Sequence, residues 1–524
     1  MSFFPDKNDS FLLPPSTLTP YQLLPTNMAA PSLLLIALCS LLMVSARTQL
    51  RPNEEQPEGF ISVLVSDKGL EFVKDLLVSE ALSSIIPLQL PQIRKTVKVP
   101  VVGEVDVLLS NVTIDSVGIG SSYVKTGEEG IALIASGATA NLSMSWEYSY
   151  STWLVPVTIS DRGTASVKVK GMEVGLSLTL MDKSGTLKLS LLDCGCYVKA
   201  ISIKLDGGSS WLYQVAVDAF EKQIVSAVEE AIPEKIGEEI TNLDSKLQDL
   251  PKEMPVGEAA ALNVSFVKDP MLSESSIDLE IDGLFIASDD RNIDVPENYP
   301  RLSLSSPSCR AAEMIQISLH ENVLKSASFV YFDAGYMNLI VDKIPDEKLL
   351  NTAGWKYIVP QLYKQYPNDD MELNISANSP PIIKVSDRGI DTTIYSDIII
   401  SVLDSGEVIS VACISLVIHA SGSAQILRNN LAGTIKLDEL SASLKWSKIG
   451  NLHIHLVQPV ISAVMRTVVV PYINLHLMRG FPLPLIRGVT LRNARILYGE
   501  SRTLICSDVD YTSQSIARTA GSFI

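Results

Sequence analysis

Apolar residues recur at steps of three and four along residues 211–250: Val217, Phe220, Ile224, Val228, Ile232, Ile236, Ile240, Leu243, Leu247 and Leu250. That spacing keeps one face of a helix apolar over its whole length. Asp218, Glu221, Lys222, Glu229, Glu234, Glu238 and Glu239 fill the intervening positions and mark a wet face. Pro233 falls inside the stripe and cannot donate a backbone hydrogen bond, which predicts a kink or break there. A second apolar stretch, residues 452–478, is interrupted by Pro459 and Pro471. Each stretch follows a strand-rich region, so the chain reads as two related halves, each a strand-rich body with long helices laid against it.

In chain order, Ile61, Val63 and Val65 alternate as a strand. Ser66 or Asp67 then starts a helix whose face carries Leu70, Val73, Leu77 and Ala81, ended by Pro87 and Pro91. Strands are predicted over residues 97–107, 112–119 and 131–144. Ala165, Val167 and Val169 alternate, then Met172, Val174, Leu176, Leu178 and Leu180 alternate with opposite parity. A side-chain period of two changes parity only where a residue is inserted, which places a bulge at Lys170-Gly171. Ile277, Leu279 and Ile281 against Leu284 and Ile286 show the same flip at Gly283. Long bulged strands suit a strongly curved sheet or barrel. In the second half, strands are predicted over 315–319 and 328–332. A helix over 345–366 follows, with Pro345 in its first turn and Pro360 within it. Strands return over 382–446, and a closing strand spans 489–497.

Composition narrows the class. With 524 residues, 46% hydrophobic and 19% charged, the chain is globular and long enough for two or more domains. A net charge of −17 disfavours nucleic acid as a partner. Residues 33–44 form a short apolar run ending in Val44-Ser45-Ala46, which reads as a signal peptide cut after Ala46. Initiation at Met28 would give a more ordinary leader than the residues upstream, where Lys7 is the only basic residue. No later stretch has the unbroken apolar length of a membrane span, so a soluble, secreted or luminal protein is expected. Cys39 leaves with the signal, and Cys194, Cys196, Cys309, Cys413 and Cys506 remain, an odd count that leaves at least one thiol unpaired. Cys194-Gly195-Cys196 is tight for a local disulfide and too small for a metal site, and reads as two cysteines on one strand face. Asn111-Val112-Thr113, Asn141-Leu142-Ser143, Asn263-Val264-Ser265 and Asn374-Ile375-Ser376 are N-glycosylation sequons.

Catalytic chemistry has no visible carrier. There is no Gly-rich phosphate loop, no His-Glu-x-x-His pair and no Gly-x-Ser-x-Gly elbow. The five histidines are His320, His419, His453, His455 and His476; the pair two apart, His453 and His455, would lie on different faces of a helix. Asp369-Asp370 and Glu229-Glu230 read as solvated faces. No enzyme, cofactor or metal is expected.

VKVKGMEVGLSLTL at residues 167–180, SDKGLEFVKDLL at 66–77, TAGWKY at 352–357, SANSPP at 376–381 and GFPLPL at 480–485, with Asn493-Ala494 and Asp508-Val509-Asp510-Tyr511 beyond, carry a resemblance. The sequence resembles the bactericidal/permeability-increasing protein and lipopolysaccharide-binding protein family over nearly all of residues 59–511, in wording nearest its plant branch. The resemblance implies an α+β fold of two similar barrel-plus-long-helix domains in an elongated boomerang, joined by a central antiparallel sheet. It also implies an apolar lipid pocket in each domain and lipopolysaccharide binding at the N-terminal tip. Animal members pair a strand cysteine with one in the long first-half helix; Cys194 or Cys196 matches the first, but Pro233 stands at the second, so that bridge is expected to be missing. The lysine-rich animal tip loop is replaced by WEYSYSTWLVPV at 146–157, without Lys or Arg. Its aromatics suit insertion at a water–lipid boundary, or equally the buried side of an ordinary hairpin.

The expected organisation is 1–46 leader and signal, 47–250 N-terminal domain, 251–285 linker and central-sheet strands, 286–511 C-terminal domain and 512–524 tail. The expected function is a secreted lipid-binding protein that captures bacterial lipopolysaccharide or related amphipathic lipids in innate defence, with contact with membrane surfaces as a further expectation and the signalling receptor left open. The alternative is a phospholipid carrier that ignores lipopolysaccharide; an esterase on the same fold lacks its nucleophile motif. Acyl chains would be taken up by Leu70, Val73, Leu77, Val174, Leu176, Val217, Phe220 and Ile224 in the first half. In the second half Trp355, Ile358, Val460, Ile461 and Val464 would serve. Arg94, Lys95 and Lys98 would meet head-group phosphates, with Trp146 and Trp153 among the chains.

Overall fold

The computed structural model describes residues 59–100, 102–151, 157–206, 213–288, 309, 313–343 and 347–512. The signal-type run and Trp153 lie outside these residues. The first strand, Ile61–Ser66, alternates as read, and Ser66 caps the helix Asp67–Ile85 by accepting from the Gly69 N–H. That strand is a middle member of a six-stranded antiparallel sheet. Val63 sits between Leu279 of Ser276–Ile281 and Ile317 of Ile315–His320, and the hairpin Val489–Gly499 and Arg502–Tyr511 completes the far side. This central sheet therefore draws strands from the beginning, middle and end of the chain.

On one side in sequence lies a seven-stranded sheet built on Gly103–Gly118, Gly130–Ser151, Thr158–Lys183 and Thr186–Asp206. The parity flip is a bulge as expected: Ala138 pairs Met172 while Ala140 pairs Val169, so Lys170 and Gly171 together face one residue, and Gly171 has φ +65°. A second seven-stranded sheet is built on Asp370–Ala377, Gly389–Asp404, Glu407–Leu427 and Asn430–Ser447.

The stripe of the long helix meets the first sheet. Tyr213–Gln248 is one helix with Pro233 inside it and no break. Phe220, Ile224, Val228 and Ile232 are buried against the sheet's core, each contributing about 1.5–3 kcal/mol. Ile236 packs on the same cluster beyond Pro233, so contact on both sides outweighs the roughly 3 kcal/mol that an internal proline costs. The apolar stretch of the second half is likewise continuous: Ile454–Val464, a π segment Met465–Val469 and Val470–Leu477. The π turn absorbs the irregularity ahead of Pro471.

Four expectations are corrected. The strand expected over 97–107 is a hairpin: Ile93–Val99 turns back into Gly103–Gly118, with Val99 opposite Gly103. Gly283 is no bulge within one strand: the chain leaves Ser276–Ile281 there and enters Phe285–Ala287, which belongs to a separate three-stranded sheet. Gly283 has φ +77°, and a Cβ would lie 2.5 Å from the Ile61 side chain. Residues 328–332 are not a strand but part of the helix Glu321–Asp333, whose Val323, Ser326 and Val330 fall at helical spacing and are buried. The helix expected over 345–366 is three short pieces, Glu347–Leu350, Thr352–Trp355 and Pro360–Gln365. Pro360 starts the last of these, where its missing N–H costs nothing.

Candidate functional site

The inner face of the first sheet does not pack evenly. Met172 and Val198 are paired and buried at one level, and Leu178, Leu187 and Leu189 are buried at another. Between these levels run two rows of half-buried side chains: Ala135, Val174 and Cys196, then Val124, Leu133, Leu176 and Cys194. The long helix covers one edge of these rows. Glu229 accepts from the Val198 N–H at 2.8 Å and Asp244 from the Leu189 N–H at 2.7 Å. The helix positions between those anchors, Ile236 and Ile240, are half-buried too.

The first helix is anchored at the other edge. Lys74 donates to the Ser122 carbonyl at 3.0 Å, and the Val124 N–H donates to Glu71 at 3.4 Å. Its apolar stripe is buried at Leu70 but open at Val73 and Leu77, which are 43% and 36% exposed. Native cores are close-packed, so this half-open apolar face is the candidate site of the first half.

The thiols of this band are neutral. Burial pushes Cys196 up to about 12, with the Glu229 carboxylate and Cys194 adding to it, and burial with Asp193 raises Cys194. They behave as small apolar groups. Both are free, as is Cys413, so a bridge from strand to long helix is absent, as expected from Pro233. The disulfide joins Cys309 to Cys506. Among the described residues no group of three or more His, Cys, Asp or Glu is placed to hold a metal.

Of the first-half acyl set, Val174 and Leu176 lie in this band and Val73 and Leu77 beside it. Phe220 and Ile224 are buried in the core instead, and Val217 is half-buried. Leu133, Cys194 and Cys196 were not in that set; the cross-strand register that brings them alongside Leu176 and Val174 is not readable from local periodicity. In the second half, Trp355, Ile461 and Val464 are buried together in one core cluster, with Ile358 and Val460 packed against it. The Trp355 indole donates to the Leu349 carbonyl at 2.9 Å.

The basic cluster is split by the strand period. Ile93–Val99 turns Arg94 and Lys98 to its exposed face, while Lys95 lies on the opposite face between Ile93 and Val97, which pack on the core. Lys98 is 3.7 Å from Glu104, and Arg162 stands opposite Glu147. Trp146 is no tip residue. It is buried within Gly130–Ser151, its indole donates to the Thr164 carbonyl at 3.0 Å, and its ring stacks on Tyr148. The expectation that it enters a lipid layer is corrected: the alternating strand turns its ring into the core. Among the sequons, Asn111 and Asn141 are exposed and Asn263 and Asn374 half-buried.

Family profiles match both halves: the N-terminal domain of the LBP/BPI/CETP family over residues 69–250, and its C-terminal domain over 255–511. The chain belongs to the LBP/BPI/CETP family. A BPI/LBP family protein of Arabidopsis thaliana is 52% identical over 466 residues, which covers 88% of this chain and 95% of that one. The bactericidal permeability-increasing protein of Sebastes schlegelii is 25% identical, covering 86% of this chain and 95% of its own length. A crystal structure of lipopolysaccharide binding protein superposes with a TM-score of 0.63 at 20% identity, covering 87% of this chain and all of that one. The LBP/BPI/CETP fold is thus present in both halves, each a seven-stranded sheet with long helices, about a shared central sheet.

Proposed function

We propose that this member of the LBP/BPI/CETP family is a secreted, non-enzymatic lipid-binding protein that takes up acyl chains of lipopolysaccharide or related amphipathic lipids in innate defence. The observation that carries the reading is the half-open apolar band of Val124, Leu133, Val174 and Leu176 on strands to which the first helix, open at Val73 and Leu77, is anchored through Glu71 and Lys74. Each methylene transferred there from water contributes about 0.8 kcal/mol. A second acyl site in the C-terminal half would open at Ile358 and Val460, the half-buried members of their cluster. Val73→Ser with Leu77→Ser is expected to weaken binding of a fluorescent acyl-chain probe roughly tenfold or more, with little change in melting temperature because both residues are exposed. Unchanged affinity would remove this band as the site. Mass spectrometry of lipid extracted from glycosylated, secreted protein identifies the ligand.

Head-group recognition is assigned to Arg94 and Lys98 on the outer face of the strand, with Lys95 on its other face. Replacing all three with alanine is expected to weaken lipopolysaccharide binding most at low salt, where exposed charge is least screened. Full affinity of that variant at low salt would instead favour the second reading, a phospholipid carrier without lipopolysaccharide recognition. The acidic neighbours Glu104 and Glu147, which offset the charge of Lys98 and Arg162, speak for that second reading.

A further inference from the structure

The helix Val470–Leu477 has no buried residue, although the segments before it bury Val457, Ile461, Val464, Met465 and Val469. Val470 and Ile473 pack against the core from one face, and the other face is open: Leu475 is 69% exposed, and Tyr472, Leu477 and the following Met478 are exposed as well. A turn and a loop meet the end of this helix. Asn430 donates to the Arg479 carbonyl at 3.1 Å, while Asn429 donates to the Val489 carbonyl at 2.6 Å and accepts from the Leu483 N–H at 3.0 Å. These bonds gather Leu475, Met478, Ile486, Arg428, Arg479 and Arg487 around one turn, all of them exposed.

The charge of this region is opposite to that of the chain. Residues 440–499 contain no Asp or Glu and seven Lys or Arg, in a protein of net charge −17. Lys445, Arg492 and Arg495 are bound to Asp397, Asp510 and Glu313. Among the described residues, no ion pair engages Arg428, Arg479 or Arg487. Exposed Leu, Ile and Met beside Tyr and beside Arg side chains that no described ion pair engages is the composition that lies at the boundary of an anionic bilayer. We propose that this end of the C-terminal half docks on a bilayer surface carrying anionic lipid, apart from the acyl-binding band of the first half.

The test is flotation of the glycosylated, secreted protein with vesicles of phosphatidylcholine alone and of phosphatidylcholine with phosphatidylglycerol. Binding is expected to the second and to fall with added salt. Arg479→Gln and Arg487→Gln should each weaken it roughly fivefold. Leu475→Ser with Ile486→Ser should weaken it by about tenfold or more. Both sets should keep the wild-type melting temperature and wild-type uptake of the fluorescent acyl probe. Equal binding to the two vesicle types, or unchanged binding by both sets, overturns the proposal. Loss of probe uptake by either set also overturns it, because these side chains would then line the ligand site.

Discussion

Replacing Cys309 with serine is expected to lower stability by roughly 3–5 kcal/mol, measured by urea unfolding without reductant. The bridge to Cys506 spans 197 residues, and the entropy of closing so long a loop puts the upper end at about 5 kcal/mol. The closed loop contains the whole second seven-stranded sheet and its helices. Cys506 is fully buried in Arg502–Tyr511, opposite Gln316, and the Gln316 side chain accepts from the Cys309 N–H at 3.2 Å. The bridge thus pins residue 309 to the central sheet. The substitution site is only half-buried, so a packing defect adds little. A loss under about 1 kcal/mol would show that the unfolded chain gains little freedom when the bridge is absent.

Acid is expected to weaken the protein through His320 by up to about 3 kcal/mol between pH 6.5 and pH 4. The ring is 6% exposed at the start of Glu321–Asp333, beside Phe60. Burial first, then Arg502 and Lys325, lower its pKa to about 4 against an opposing pull from Glu321. The folded ring is therefore neutral where the unfolded ring, ordinary at 6.5, already holds a proton. Proton uptake then favours unfolding, and the loss grows as pH falls from 6.5 and is complete near 4. Protonation also removes the cap, because Nδ1 accepts from the Asn322 N–H at 3.2 Å. His320→Asn keeps a capping acceptor without a titrating ring. Its stability should be flatter than wild type between pH 6.5 and 4, by urea unfolding at a series of pH values. Equal slopes for the two proteins would remove His320 as the source.

Local pattern determined much of this protein. The three-and-four spacing from Val217 onward, the alternation of Ile61, Val63 and Val65, the Ser66 cap and the parity flip at Gly171 each reside in a few adjacent residues, where backbone sterics and side-chain period act directly. Local pattern also suggested a strand over 328–332, where helix and strand spacings are hard to tell apart in a short apolar run. Tertiary structure decided the rest. Val63 lies between Leu279 and Ile317, Cys309 finds Cys506, and Leu133, Leu176 and Cys194 come into one row, all through pairings distant in sequence. Packing of the sheet against the long helix covers the face that carries Trp146, whereas the split of Lys95 from Arg94 and Lys98 follows from the strand period alone. An apolar stripe specifies which face of an element avoids water; whether protein covers it, as at Ile224, or leaves it open, as at Leu77, depends on which distant elements the fold brings to that face.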